Sequence, residues 1–262
     1  MRGPTLPIAQ IKADSLAQIL PGLEPISSLT SVRLLTDWEM ARDDAPIMRE
    51  IIRWMQPRRH LEFGTWKGYG ACLVMENSSA TVWTINLWGG EFHAGGMPAY
   101  SESFAEQPSR GFWQKMLFKK HSKKTAVVQT DAKENIGVMI QEKQFGHRVN
   151  HVFCDSKLWD TSAYPSEFFD TVLIDGGHQT DVVACDTRKA LPLLREGGVI
   201  LWHDFCLDEQ VRQKFKHVET VIQGVESVAE EIHRHGIRLY WINPSWLLCG
   251  IKGNAPVPTA KS

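Results

Sequence analysis

Hydrophobic positions along the chain alternate between short apolar runs and longer stretches of helical spacing. Apolar residues at helical spacing predict a helix over residues 45–55, which Pro57 ends. The later segments alternate between strand and helix patterns, over residues 60–63, 69–75, 81–87, 135–145, 149–154, 169–174, 180–194, 199–202 and 220–235. This alternation favours a doubly wound α/β fold, in which helices cover both faces of a mostly parallel sheet.

The two ends of the chain depart from this rhythm. Residues 238–242 and 246–251 are apolar runs separated by a short turn, which predicts a C-terminal antiparallel hairpin. Residues 1–44 are rich in turn formers, and we interpret them as an N-terminal cap or substrate-side segment. Residues 45–262 are then one domain, with an aromatic-rich insertion over residues 88–130. That insertion is expected to cover a planar acceptor or to form a homo-oligomer interface.

Composition narrows the range of partners. The formal net charge of the 262 residues is -1, so the chain has no general attraction to nucleic acid or to an anionic membrane surface. No apolar run approaches the roughly 20 residues that span a bilayer. The five cysteines are odd in number and widely spread, which is typical of reduced thiols in a cytoplasmic protein.

A glycine-rich turn follows the strand over residues 60–63. The order from Gly64 through Gly68 to Gly70 is G-x-x-x-G-x-G, with Glu62 just before it. Glycines permit a tight turn and close approach of the backbone to a ligand, and the next helix offers free N–H groups. The turn is either a strand–helix connection or a nucleotide-binding loop, and Glu62 favours the second.

Acidic and histidine side chains end two later strands. Asp175 follows the apolar run 169–174, and His203 and Asp204 follow the run 199–202. Because the carboxyl ends of neighbouring parallel strands converge, these three residues are expected to ligate one divalent metal. The alternatives are that Asp175 caps the following helix and that His203 is a buried core histidine.

The acidic residue and glycine turn resemble the nucleoside-binding motif of class I S-adenosylmethionine-dependent methyltransferases. The resemblance implies a Rossmann-like seven-stranded sheet and S-adenosylmethionine as cofactor. Asn86 stands where the class carries an acidic residue that binds the ribose hydroxyls, and Glu91 is the alternative residue for that role. Asp155 and Ser156 stand where the class contacts adenine. The cofactor-binding residues implied are Glu62, Gly64, Thr65, Gly68, Gly70, Asn86, Asp155, Ser156 and Asp175.

Residues 168–205 also resemble a bacterial methyltransferase group with an I-D-G-x-H … H-D signature. The site layout is similar to that of catechol O-methyltransferase and of macrolide-sugar O-methyltransferases. This similarity implies magnesium or manganese bound by Asp175 and Asp204, with His203 beside them and His178 as general base.

The function expected is therefore metal-dependent O-methylation of a small hydroxylated acceptor, either a sugar or a phenolic compound. Three alternatives stay open. They are another reaction on the same fold, such as metal-assisted hydroxylation; a nicotinamide-dependent oxidoreductase, which usually has the other glycine order; and a catalytically silent binding module.

Overall fold

An eight-stranded sheet organises the chain in the computed structural model, which describes residues 6–24, 26, 44–87, 92–93, 128–129, 136–254, 256 and 258–259. Its strands are β1 (Ile8–Lys12), β2 (Arg59–Phe63), β3 (Thr81–Asn86), β6 (Val149–Phe153), β7 (Phe169–Ile174), β8 (Leu194–Trp202), β9 (Ile237–Asn243) and β10 (Leu247–Lys252). A separate short antiparallel pair joins β4 (Phe92–His93) to β5 (Val128–Gln129).

The strand order in the large sheet is β1-β9-β10-β8-β7-β2-β3-β6. Strand β10 is antiparallel to both of its neighbours, and the remaining pairs are parallel. The carboxyl ends of β2, β3, β7 and β8 consequently meet at one edge of the sheet. Ligands bind at this edge in open α/β sheets.

Helices cover both faces. They are α1 (Ala45–Met55), α2 (Tyr69–Asn77), α3 (Val138–Glu142), α4 (Thr180–Leu193), α5 (Glu209–Lys214), α6 (Lys216–Glu226) and α7 (Ala229–Arg234). One core packs α1 and α2 against one face, and a second packs α4, α6 and α7 against the other. All six residues of β7 are buried, because this central strand contributes side chains to both cores.

This architecture confirms the predicted α/β fold with its C-terminal antiparallel strand. The structure adds an eighth strand, β1, which pairs in parallel with β9 at the sheet edge. The described part of residues 1–44 thus packs into the same core as the rest, and the division at residue 44 stays a prediction.

Three element bounds differ from the predicted ones. The helix expected over residues 135–145 is restricted to α3, and the one expected over 220–235 is divided into α6 and α7 by a turn at Ser227 and Val228. Strand β8 begins at Leu194, since Gly197 and Gly198 lie within the strand beside a register irregularity instead of forming a turn.

Candidate active site

The glycine turn lies against the end of β7. Gly64 has a φ of 95°, and a Cβ atom there would stand 2.0 Å from the carbonyl oxygen of Asp175. A Cβ at Gly70 would stand 2.1 Å from a carboxylate oxygen of Glu62. Only glycine allows both approaches, so the turn and the two acidic residues form one packed unit.

Glu62 supports this turn from inside the protein. Its carboxylate accepts a hydrogen bond from the Thr84 hydroxyl at 3.1 Å and another from the backbone of Ala71. Burial, with the nearby charge of Asp175, raises the pKa of Glu62 to about 8 against these hydrogen bonds. Thr65 joins the same network, because its hydroxyl lies 2.6 Å from that of Thr84. Gly68 is the N-cap of α2.

Asn86, at the end of β3, is also engaged with the turn. Its Oδ1 accepts hydrogen bonds from the backbone N–H of Thr65 at 3.0 Å and of Trp66 at 3.2 Å. Its amide nitrogen donates to the carbonyl of Leu87 at 3.1 Å. A contact of Asn86 with ribose stays a prediction, and Glu91 lies outside the described residues.

A pocket opens beside the turn, between the ends of β2, β3, β6 and β7. Its polar lining includes Gly64, Asn86, Asp155, Ser156, Gly176 and Asp186. Asp155 is buried and accepts a hydrogen bond from the Lys157 backbone at 2.9 Å. The structure therefore brings the predicted adenine-side residues Asp155 and Ser156 to the same pocket as the glycine turn.

Lys189 of α4 fixes the loop that carries these residues. Its ammonium group donates to the carbonyls of Ser156, Lys157 and Trp159 at 2.7, 2.8 and 2.7 Å. The pocket wall is consequently held by three charge-assisted hydrogen bonds.

Asp186 is a pocket residue that sequence reasoning did not assign to the site. On the sequence alone, its place on the helix favours a solvated face over ligand contact, but its side chain is only 1% exposed. The overlooked signal is its spacing, because Asp186 follows Val182 and Val183 on the face that also carries Ala190.

Asp175, His178 and Asp204 form a second group at the same sheet edge. Each offers one ligand atom, and the three atoms lie within 4.8 Å of one another. His178 Nε2 lies 2.9 Å from Asp204 Oδ2. Asp204 has a φ of 56°, in the left-handed region, where strain in a non-glycine residue is common at functional sites. The two carboxylates converge as their strand positions lead us to expect.

His203 lies behind this group and touches three carboxylates. Its Nε2 is 3.0 Å from Asp44 Oδ2, and its Nδ1 is 3.0 Å from Asp175 Oδ1 and 3.4 Å from Asp204 Oδ2. Both ring nitrogens thus face protein acids, and in the described residues His178 completes the candidate metal-binding group in its place. Ligation of a metal by His203 stays a prediction. The contacts of both ring nitrogens with carboxylates argue against it.

The charges of this cluster shift the pKa values of its members. Burial opposes a charged imidazole at His203, but Asp175 and Asp204 outweigh it and raise the His203 pKa well above the usual value. Burial likewise opposes ionisation of Asp204, yet the imidazoles hold the pKa of this carboxyl well below its usual range. For His178, the hydrogen bond and charge of Asp204 overcome burial and raise the pKa.

His217, in the first turn of α6, also approaches the cluster. Its Nε2 lies 3.7 Å from Asp204 Oδ1, and its ring centroid lies 5.3 Å from that of His178. The sequence carries no spacing signal for this residue, because it lies on a helix that follows β8 and Asp204 in the chain.

The predicted acceptor side falls mostly outside the described residues. The structure does not describe the side chains of the aromatic residues expected there, which are Trp88, Phe92, His93, Tyr100, Phe104, Phe112 and Trp113.

Of the helices that the structure does describe, none combines the length and apolar character needed to cross a bilayer.

Comparisons with known proteins find one family and several solved structures that are similar to the chain. The model of a family described as a methyltransferase domain matches residues 61–205, from within β2 to the residue after Asp204. The chain is also similar to the structure of a candidate caffeoyl-CoA O-methyltransferase from Staphylococcus aureus. The identity is 15%, the TM-score 0.50, and the match covers 84% of this chain and 86% of that chain.

A second similar structure is that of the methyltransferase PaMTH1 from Podospora anserina, which is bound to SAH. Here the identity is 15%, the TM-score 0.50, and the coverage 84% of this chain and 80% of that chain. At these identities the likeness concerns the fold. No protein of curated function matches the chain in sequence.

Proposed function

We propose, because the chain belongs to the family of methyltransferase domains, that it transfers the methyl group of S-adenosylmethionine to a hydroxyl of a small acceptor. Membership confirms the family that the motifs resemble; the cofactor, the oxygen acceptor and the metal are the proposal. The acceptor class is a sugar or phenolic hydroxyl.

A single observation carries the proposal. The glycine turn lies in backbone contact with Asp175, since the position of a Cβ at Gly64 falls 2.0 Å from the Asp175 carbonyl oxygen, and the Asp175 side chain is grouped with those of His178 and Asp204. A nucleoside held by the turn would therefore present its sulfonium beside the acid–histidine group. Methyl transfer requires this proximity, because in-line positioning supplies much of the acceleration.

The donor set fits a divalent cation. Carboxylate oxygens are the ligands that Mg²⁺ and Mn²⁺ prefer, and an imidazole within reach shifts the preference toward Mn²⁺. In the proposal Asp175 and Asp204 hold the ion. A divalent ion held by these residues would lower the pKa of an acceptor hydroxyl bound to it and would orient that hydroxyl.

His178 takes the hydroxyl proton in this proposal. Its Nε2 lies 2.9 Å from Asp204 Oδ2, so Nε2 carries the hydrogen and Nδ1 is the basic nitrogen. The carboxylate that raises the pKa of His178 also stabilises the imidazolium that proton uptake creates. The alkoxide or phenolate then attacks the methyl carbon, and S-adenosylhomocysteine leaves.

The first test is calorimetric titration of S-adenosylmethionine and S-adenosylhomocysteine into metal-stripped protein, with and without Mg²⁺ or Mn²⁺. Micromolar binding of both, with no binding of NAD, is the expected result. If neither sulfur nucleoside binds under any metal condition, the proposed function is wrong. Tight binding of NAD alone would favour the oxidoreductase alternative.

The metal assignment has its own test. Asp204→Asn is expected to weaken Mn²⁺ binding by roughly tenfold or more, whereas the control Asp181→Asn, an exposed carboxylate paired with Lys157, leaves it unchanged. His178→Gln is expected to lower the methylation rate with little change in Mn²⁺ affinity. A large loss of Mn²⁺ affinity in His178→Gln would make His178 a ligand and contradict its role as base.

A further inference from the structure

We infer that Asp186 reads the nucleobase of the methyl donor, by accepting a hydrogen bond from the exocyclic amino group of adenine. The inference rests on the proposed function, because it names a specificity-determining residue within the same cofactor pocket. It assigns to α4 a contact that the sequence motifs place only on the loop after β6.

The first argument is an unpartnered acceptor. Asp186 lies on the pocket wall and is 1% exposed, yet its Oδ1 has no hydrogen-bond partner among the described residues. Buried carboxylate oxygens rarely go without a donor, because they lose their hydration without replacement. The wall of a ligand pocket is where the missing donor would be supplied by the ligand.

The second argument is that the carboxyl group is held in place. The Ser156 side chain hydrogen-bonds to it, and its Oδ2 lies 3.4 Å from the position a Cβ would take at Gly176. Ser156 belongs to the loop that Lys189 fixes through three carbonyls. Asp186 therefore has a fixed orientation toward the loop expected beside the base.

The third argument concerns the kind of donor. A carboxylate oxygen accepts hydrogen bonds and repels a keto oxygen, so it favours adenine over a 6-keto purine. Burial raises the pKa of Asp186 to about 7, against the hydrogen bond of Ser156. The neutral acid has an O–H that can donate to a keto oxygen, so the preference for adenine belongs to the ionised carboxylate. Phe63, Ile85 and Val182 supply apolar lining beside it, which suits the faces of a planar base.

The test compares two ligands that differ at C6 and N1 of the base. S-adenosylhomocysteine and S-inosylhomocysteine, in which a keto oxygen replaces the amino group and N1 carries a hydrogen, are titrated into the 262-residue chain and its variants. We expect the wild type to prefer the adenine ligand by about tenfold or more, as sites built to bind a polar group reject analogues that lack it. Asp186→Ala should reduce this ratio toward one, and Asp186→Asn should do the same, because its amide can accept from the amino group or donate to the keto oxygen.

The matched control is Asp181→Ala, which removes an exposed carboxylate of the same helix and should leave the ratio unchanged. A variant that merely loosens the pocket weakens both ligands equally, so the ratio separates recognition from folding. Equal binding of both ligands to the wild type, or an unchanged ratio in Asp186→Ala, overturns the inference while the proposed function stands. If neither ligand binds the wild type, the proposed function fails as well.

Discussion

Replacement of Asp44 tests the charge arrangement behind the candidate metal site. Asp44 is fully buried; its Oδ2 lies 3.0 Å from His203 Nε2, and its Oδ1 accepts the Trp246 backbone N–H at 3.0 Å. Although Asp44 is the N-cap of α1, it makes no side-chain capping bond there. A loss of stability on its replacement would therefore not come from side-chain capping of α1.

The expected loss of unfolding free energy depends on which contacts each Asp44 variant keeps. Removing one partner of a buried ion pair costs about 3–5 kcal/mol, and we expect Asp44→Asn at the lower end because His203 keeps Asp175 and Asp204. Asp44→Ala also leaves the Trp246 N–H without its acceptor, which adds about 1–3 kcal/mol. The control Glu231→Gln breaks an exposed pair with Arg188 and should cost less than about 1 kcal/mol.

The assay is urea unfolding of metal-stripped protein at constant pH near 7.5, followed by tryptophan fluorescence. We expect the free energy of unfolding to be highest for the wild type and to decrease in the order Glu231→Gln, Asp44→Asn and Asp44→Ala. If Asp44→Asn is as stable as Glu231→Gln, the buried pair with His203 contributes little. If the two Asp44 variants are equally stable, the Trp246 contact is not part of the effect.

Other variants test single features. Gly64→Ala places a Cβ against Asp175 at a φ of 95°, so we expect it to lower the free energy of unfolding by at least about 2 kcal/mol or to abolish cofactor binding. Gly146 has open space around it, so Gly146→Ala should leave the free energy of unfolding unchanged in the same urea titration. Burial lowers the pKa of His60 to about 3, below the unfolded value of about 6.5. The unfolded state thus binds more protons between these values, and stability should fall by about 2.5 kcal/mol from pH 6 to pH 4 through this group. His60→Met should remove that part of the pH dependence; an unchanged slope would contradict the assignment.

The elements that the sequence predicts best are those with strong local patterns. Strand β7 has the predicted bounds because its apolar run is six residues long. Helix α1 has the predicted bounds because its amphipathic repeat is followed by Pro57. The convergence of Asp175 and Asp204 follows from topology, since both residues end neighbouring parallel strands.

Contacts between distant residues could not be predicted in this way. His203 contacts Asp44, a residue 159 positions earlier in the chain, and no local sequence pattern predicts such a pair. Strand β1 has only Ile8 and Ile11 as apolar anchors with mixed burial, so its pairing depends on the exposed edge of β9. For Asp186, the charge of the side chain favours a solvated face, whereas its place in the helical repeat of α4 indicates the buried face.

The pairing of β1 with β9 determines when the sheet can be completed during synthesis. The ribosome makes Ile8–Lys12 long before its partner Ile237–Asn243, since the paired residues Ile8 and Leu239 are 231 positions apart. The bond from Trp246 to Asp44 has the same long separation. Because loop closure over such distances is slow and must follow the local contacts, the strands with Asp175 and Asp204 can pair first. Strand β1 would then dock after the strands that carry the candidate site, and the growing chain would expose the unpaired β1 residues until the hairpin of β9 and β10 emerges.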